Sequence, residues 1–139
     1  MKKGRQQDVR SLGVYRELLE YCQTESFKKS VDDKMMDQIE NTLAYLAIGF
    51  FEFDFSNKVN SYSSARQHLV RLQTLLHLKA VKWTNDVDAK KEDVDLETTL
   101  KKISEVLPGL GGLIRKTEKK ANEKYARSKN HSQGRKSYD

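Results

Sequence analysis

The chain has 139 residues, 37% hydrophobic and 33% charged, with one proline: a single domain's length, in a composition that excludes loop-rich and all-β designs. One cysteine, Cys22, excludes a disulfide scaffold and a Cys-rich zinc site, and a net charge of +6 points toward polyanions. The longest apolar run, Leu43 to Phe51, is far short of the roughly 20 residues of a membrane span, and no apolar stretch follows the basic start, so a soluble cytoplasmic protein without a signal peptide is expected.

Four helical segments follow from the apolar periodicity. The first runs from about Asp8 to Phe27 on Leu12, Tyr15, Leu18, Leu19 and Cys22. Ser30 to Asp33 offers N-caps for the second, because a short side-chain oxygen satisfies amides that lack a helical partner. That segment continues to about Phe55 and carries Ile39, Leu43, Leu46, Ile48, Phe50, Phe51, Phe53 and Phe55. A turn at Ser56-Asn57-Lys58 leads into the third, from about Asn60 to Trp83, with Tyr62, Ala65, Leu69, Leu72, Leu76, Ala80 and Trp83 on one face. Residues 85–95 read as an acidic loop. The fourth starts near Asp95 with a narrow seam, Leu96, Leu100, Ile103, Leu107, Leu110 and Ile114. The layout is all-α: an antiparallel four-helix bundle over residues 1–120, with a disordered basic tail over 121–139.

Two features strain a lone bundle. Leu75 and Leu78 fall off the apolar face of the third segment, and the second is apolar on more than one side. Either a thick core in a monomer or subunit contacts must cover them, and contacts are the favoured reading. Pro108-Gly109-Leu110-Gly111-Gly112 then interrupts the fourth seam. It predicts a kink compensated by close approach of another helix or a phosphate backbone, or else a break into two shorter helices.

Charge is segregated. The last 25 residues hold nine basic and three acidic side chains, so the first 114 are neutral overall. No acid lies between Asp54 and Asp86, where Lys58, Arg66, Arg71, Lys79 and Lys82 fall. Such segregation makes a one-signed surface that attracts nucleic acid, although a solvated tail and an ordinary helix face would have the same composition. Catalysis finds no constellation. His68, His77 and His131 never pair at helical spacing, so no metal site is expected, and no cofactor. Cys22 reads as a small core residue, and no serine has a base assigned by spacing.

The stretches SNKVNSYSSARQHLVRLQTLLHLKAV (56–81) and ISEVLPGLGGLIRKTEKK (103–120), with Val14-Tyr15-Arg16-Glu17 before them, resemble the accessory variability determinant family. Its members are small four-helix proteins encoded in diversity-generating retroelements beside a reverse transcriptase. The resemblance covers roughly residues 13–120 and rests on the Ser-Asn-x-Val turn and the Glu-Val-x-x-x-Leu-Gly seam. It implies a non-enzymatic ring of five bundles whose basic surface binds the reverse transcriptase, template RNA and cDNA during mutagenic retrohoming. The binding surface expected here comprises Lys58, Arg66, Arg71, Gln73, His77, Lys79 and Lys82, joined by Arg115, Lys116, Lys119 and Lys120. Gln73 and His77 stand where the family typically has an arginine pair, which lowers the charge of that face. A looser resemblance reaches the four-helix proteins encoded in ribosomal RNA intervening sequences. It implies instead a helical oligomer that contacts another protein, with a solvating basic tail.

Overall fold

The computed structural model describes residues 8–85 and 93–136, with side chains over 8–81 and 93–127. The Lys82 and Trp83 side chains, most of the acidic loop and the last three residues lie outside the described residues. The described backbone is helical, without strands: a 3-10 turn at Val9–Ser11, then α1 (Gly13–Tyr21), α2 (Glu25–Ser30), α3 (Asp33–Phe51), α4 (Phe55–Asn85) and α5 (Val94–Lys136). No described helix is long and apolar enough to cross a membrane.

Side-chain caps set most boundaries, and they correct the expected segments at three places. Asp32 caps α3 as anticipated, its Oδ1 accepting from the Met35 amide at 2.9 Å. The first segment, by contrast, is two helices. Thr24 donates its hydroxyl to the Tyr21 carbonyl and accepts from the Phe27 amide, closing α1 and opening α2 with one side chain. The expected turn at Ser56-Asn57-Lys58 is the first turn of α4. Asp54 makes it so, because its Oδ1 accepts from the Ser56 and Asn57 amides at 2.8 and 3.2 Å. The real turn is therefore Glu52 to Asp54, and α3 ends at Phe51 rather than near Phe55.

The third difference is the far end. The sequence predicts a disordered tail from residue 121, yet α5 stays helical to Lys136. From Ala121 to Gln133 the sequence holds no glycine or proline and is rich in good helix formers. Nor does Pro108 divide α5. Pro108 and Ser104 are both exposed, so the carbonyl that loses an amide partner faces water.

Neighbouring helices run antiparallel. Across α3 and α4, Gln38 and Gly49 meet His68 and Tyr62 in reverse order, and Ser30 at the end of α2 meets Lys79. Across α4 and α5, Gln73 meets Ser104 and Phe55 meets Lys120. The broken rod α1–α2 runs back along α5, where Ser26 meets Asp95, Glu17 meets Lys102 and Val14 meets Gly109. The core between them is Leu18, Phe27, Met35, Ile39, Leu46, Tyr62, Ala65, Leu69, Leu72, Leu76, Leu96, Ile103, Val106 and Leu110. Of the face expected for α4, Tyr62, Ala65, Leu69, Leu72 and Leu76 are buried and Ala80 is partly so; of the fourth seam, Leu96, Ile103 and Leu110 are buried and Leu100, Leu107 and Ile114 partly so, with Val106 joining them. Of the off-face leucines, Leu75 packs on the core while Leu78 stays half exposed. One buried polar knot ties α2 to α5: the Thr99 hydroxyl meets Tyr21 Oη at 2.9 Å and Ser30 Oγ at 3.0 Å. No buried side-chain polar atom among the described residues lacks a partner.

Candidate nucleic-acid interface

The cations of α4 do not act alike. Lys58 extends its ammonium to the carbonyls of Gly49 and Phe50 at 2.9 and 3.0 Å, closing the C-terminus of α3. Lys79 does the same for α2, donating to Ser30 O at 2.8 Å. Helix C-termini carry unpaired carbonyls and partial negative charge, which is what an ammonium satisfies. These two lysines are therefore tied into the fold. Burial, with the Lys120 charge adding to it, pulls the Lys58 ammonium below the ordinary lysine range, and Glu52 opposes that shift.

Of the remaining α4 positions, Arg66, Arg71 and His77 are exposed, and Gln73 is turned toward α5, its amide donating to Ser104 Oγ at 3.2 Å. At 3.6 residues per turn, Arg66, Gln73 and His77 share one flank within roughly 40°, whereas Arg71 lies about 140° from Arg66. Arg71 instead lines a groove between α3 and α4 with Lys34, Asp37, Gln38, Val70, Thr74 and Leu75. Below it His68 stacks on Tyr45 with ring centroids 5.5 Å apart, and its Nδ1 stands 2.8 Å from Gln38 Oε1. Burial, then the Arg71 charge, holds the His68 pKa below the usual 6.5. Thus α4 presents separate cations on separate flanks.

On α5 the cations converge. Arg115, Lys116, Lys119 and Lys120 are all exposed, and so are Lys124 and Arg127 one and two turns on. Helical geometry places these six within about half the circumference, over roughly 18 Å of axis. The stripe that runs from Leu110 to Thr117, both buried, borders that arc on its Lys124 side. Of the two acids in this stretch, Glu123 sits within the basic arc and Glu118 lies outside it. Lys124 and Arg127 lie beyond the surface expected from the sequence, in the stretch where a disordered tail is expected. The absence of any breaker after Ala121 was the signal that could have found them.

Burial pushes the Cys22 pKa up to about 11, so the thiol stays protonated near neutrality. The arrangement offers a row of ammonium and guanidinium groups on a rod, able to pair with phosphates. No protein-family model, no curated protein and no solved structure matches the chain.

Proposed function

We propose that this chain is a non-catalytic, nucleic-acid-binding accessory protein of a retroelement reverse transcriptase, acting in the cytoplasm as a ring of five copies on template RNA and cDNA. The observation that carries the reading is the exposed basic arc of α5, Arg115 to Arg127. The resemblance over residues 13–120 supplies the reverse transcriptase and the pentamer, and the all-helical antiparallel fold is compatible with both. Lysines and arginines along the arc would neutralise phosphates and release counterions. A ring would multiply weak contacts into useful avidity.

The test is RNA binding by the full chain across a salt series. Wild type should lose affinity steeply with salt, with a log–log slope of roughly −4 for six neutralised phosphates on single strands. Charge reversal at Lys116, Lys119, Lys120 and Lys124 should abolish binding and leave the circular dichroism unchanged. Reversal at Arg66 and Arg71 should weaken it less. Unchanged binding by the α5 variant would remove the arc from the site. Light scattering checks the ring: five copies of a 16.1 kDa chain weigh about 80 kDa.

The second reading, a helical oligomer that contacts another protein, is favoured by the apolar surface that the bundle leaves uncovered. Ile48, Phe51, Leu78 and Val81 are each slightly more than half exposed. Under that reading RNA affinity would depend on the terminal charge alone, and a smaller oligomer would form.

A further inference from the structure

The end of the bundle where the α3–α4 turn meets α5 is edged with aromatic rings. Phe53 is 93% exposed, Tyr125 69% and Phe51 53%. Phe51 stands edge-on to Phe50 at 5.1 Å between centroids. A cleft between the two elements is lined by Asp54, Phe55 and Ser56 on one side and Ala121, Lys124 and Tyr125 on the other. The Lys120 ammonium stands 6.0 Å from the centre of the Phe55 ring. Rings and cations therefore meet along one short edge, where Phe55 and Tyr125 lie beside Lys120 and Lys124. Of the nearby acids, Asp54 accepts from the amides of Ser56 and Asn57 and Glu52 accepts from that of Asp54, while Glu118 lines the adjoining cleft with Ser56 and Ala121.

We propose that this edge is a stacking platform for single-stranded nucleic acid, with bases laid on Phe53 and Tyr125 while Lys120 and Lys124 hold the phosphates. The inference rests on the reading of α5 as a phosphate surface and adds the strand state that it prefers. A phosphate row alone treats single strands and duplexes alike. Exposed rings change that, because a single strand can turn its base faces onto them, whereas a duplex keeps its bases stacked on each other. An apolar protein partner would also cover Phe53, but it has no use for the ammonium groups of Lys120 and Lys124 at the cleft. The charge favours the polyanion.

The experiment compares a short oligouridine with an RNA duplex of equal length, by fluorescence anisotropy on the full chain. Phe53→Ala with Tyr125→Ala leaves every cation and every core residue in place. It should weaken oligouridine binding on the order of ten-fold or more and leave duplex binding nearly unchanged. The ring-keeping pair Phe53→Tyr with Tyr125→Phe should bind as wild type. Phe53→Ala alone, in the turn and outside the core, repeats the test should the double variant lose helix content. Equal losses on both probes, or none on oligouridine, would overturn the platform and leave the basic arc standing. Failure of the wild type to bind either probe would overturn the arc and the platform together. A changed native mass with unchanged affinity would overturn the platform in favour of a protein contact.

Discussion

The ammonium of Lys58 lies 2.9 Å from the carbonyl oxygen of Gly49, nine residues back across the α3–α4 turn. It draws the start of one helix onto the end of another, and it does so with a charge that composition alone assigns to an outside partner.

Replacing Lys58 by methionine keeps the stem and removes the donor to two helix-end carbonyls. We expect a loss of about 1 kcal/mol in stability, since hydrogen bonds from charged groups at helix ends contribute on that scale. RNA affinity should change little. A loss of affinity larger than that of Arg66→Met would return Lys58 to the binding surface.

Gly49 is buried, and a Cβ there would lie 2.6 Å from Tyr62 Cε1. Gly49→Ala should therefore destabilise by roughly 1–3 kcal/mol, as overpacked cores do. The double change with Tyr62→Ala should cost less than the sum of the singles, because removing the ring removes the clash. Strict additivity in a urea-unfolding cycle would contradict the contact.

The glycines of α5 behave in the opposite way. A Cβ on Gly111 would meet only Arg115 Nη1, at 3.5 Å, and the backbone there is ordinary helix. Gly111→Ala should stabilise the chain by up to about 1 kcal/mol and raise Tm by a few degrees. A lowered Tm, or a changed native mass, would show that the small residues Gly109, Gly111 and Gly112 face a neighbour outside this chain.

His68 predicts a pH dependence. Its folded pKa lies below the ordinary 6.5 through burial and then the Arg71 charge, so near and below pH 6.5 the unfolded chain takes up the proton first. The stability held above that pH should fall as pH drops through the window between the two pKa values, then level off. Gln38, Tyr45 and Arg71 are the groups around the ring. His68→Gln should flatten this part of the stability curve; an unaltered slope would assign it to other groups.

What could be read in advance divides along physical lines. Buried faces were legible because burial imposes a period: Tyr62, Ala65, Leu69, Leu72 and Leu76 are all buried, as their spacing requires. Ends were less legible. Thr24 and Asp54 act through single side-chain hydrogen bonds, and neither residue type is rare enough elsewhere to mark a boundary. The candidate site was least legible. Net charge counts lysines, but whether one faces water or a carbonyl depends on its neighbours in space, and Lys58 and Lys79 turned inward while Lys124 and Arg127 turned out. The glycine stretch divides in the same way: its unfavourable propensity is evident in sequence, while the uninterrupted helix through Pro108 and the contact of Gly109 with Val14 are not.

The far part of α5 carries three like-charged pairs four residues apart, Arg115 with Lys119, Lys116 with Lys120, and Lys120 with Lys124, against which Glu123 offers attraction to Lys119 and Arg127. Residues 122–127 are exposed throughout, so packing adds little to hold that turn-by-turn repulsion in check. A polyanion laid along the arc would cancel the repulsion, and occupancy and helix persistence would then rise together. The rod that meets the ligand is in this sense finished by it.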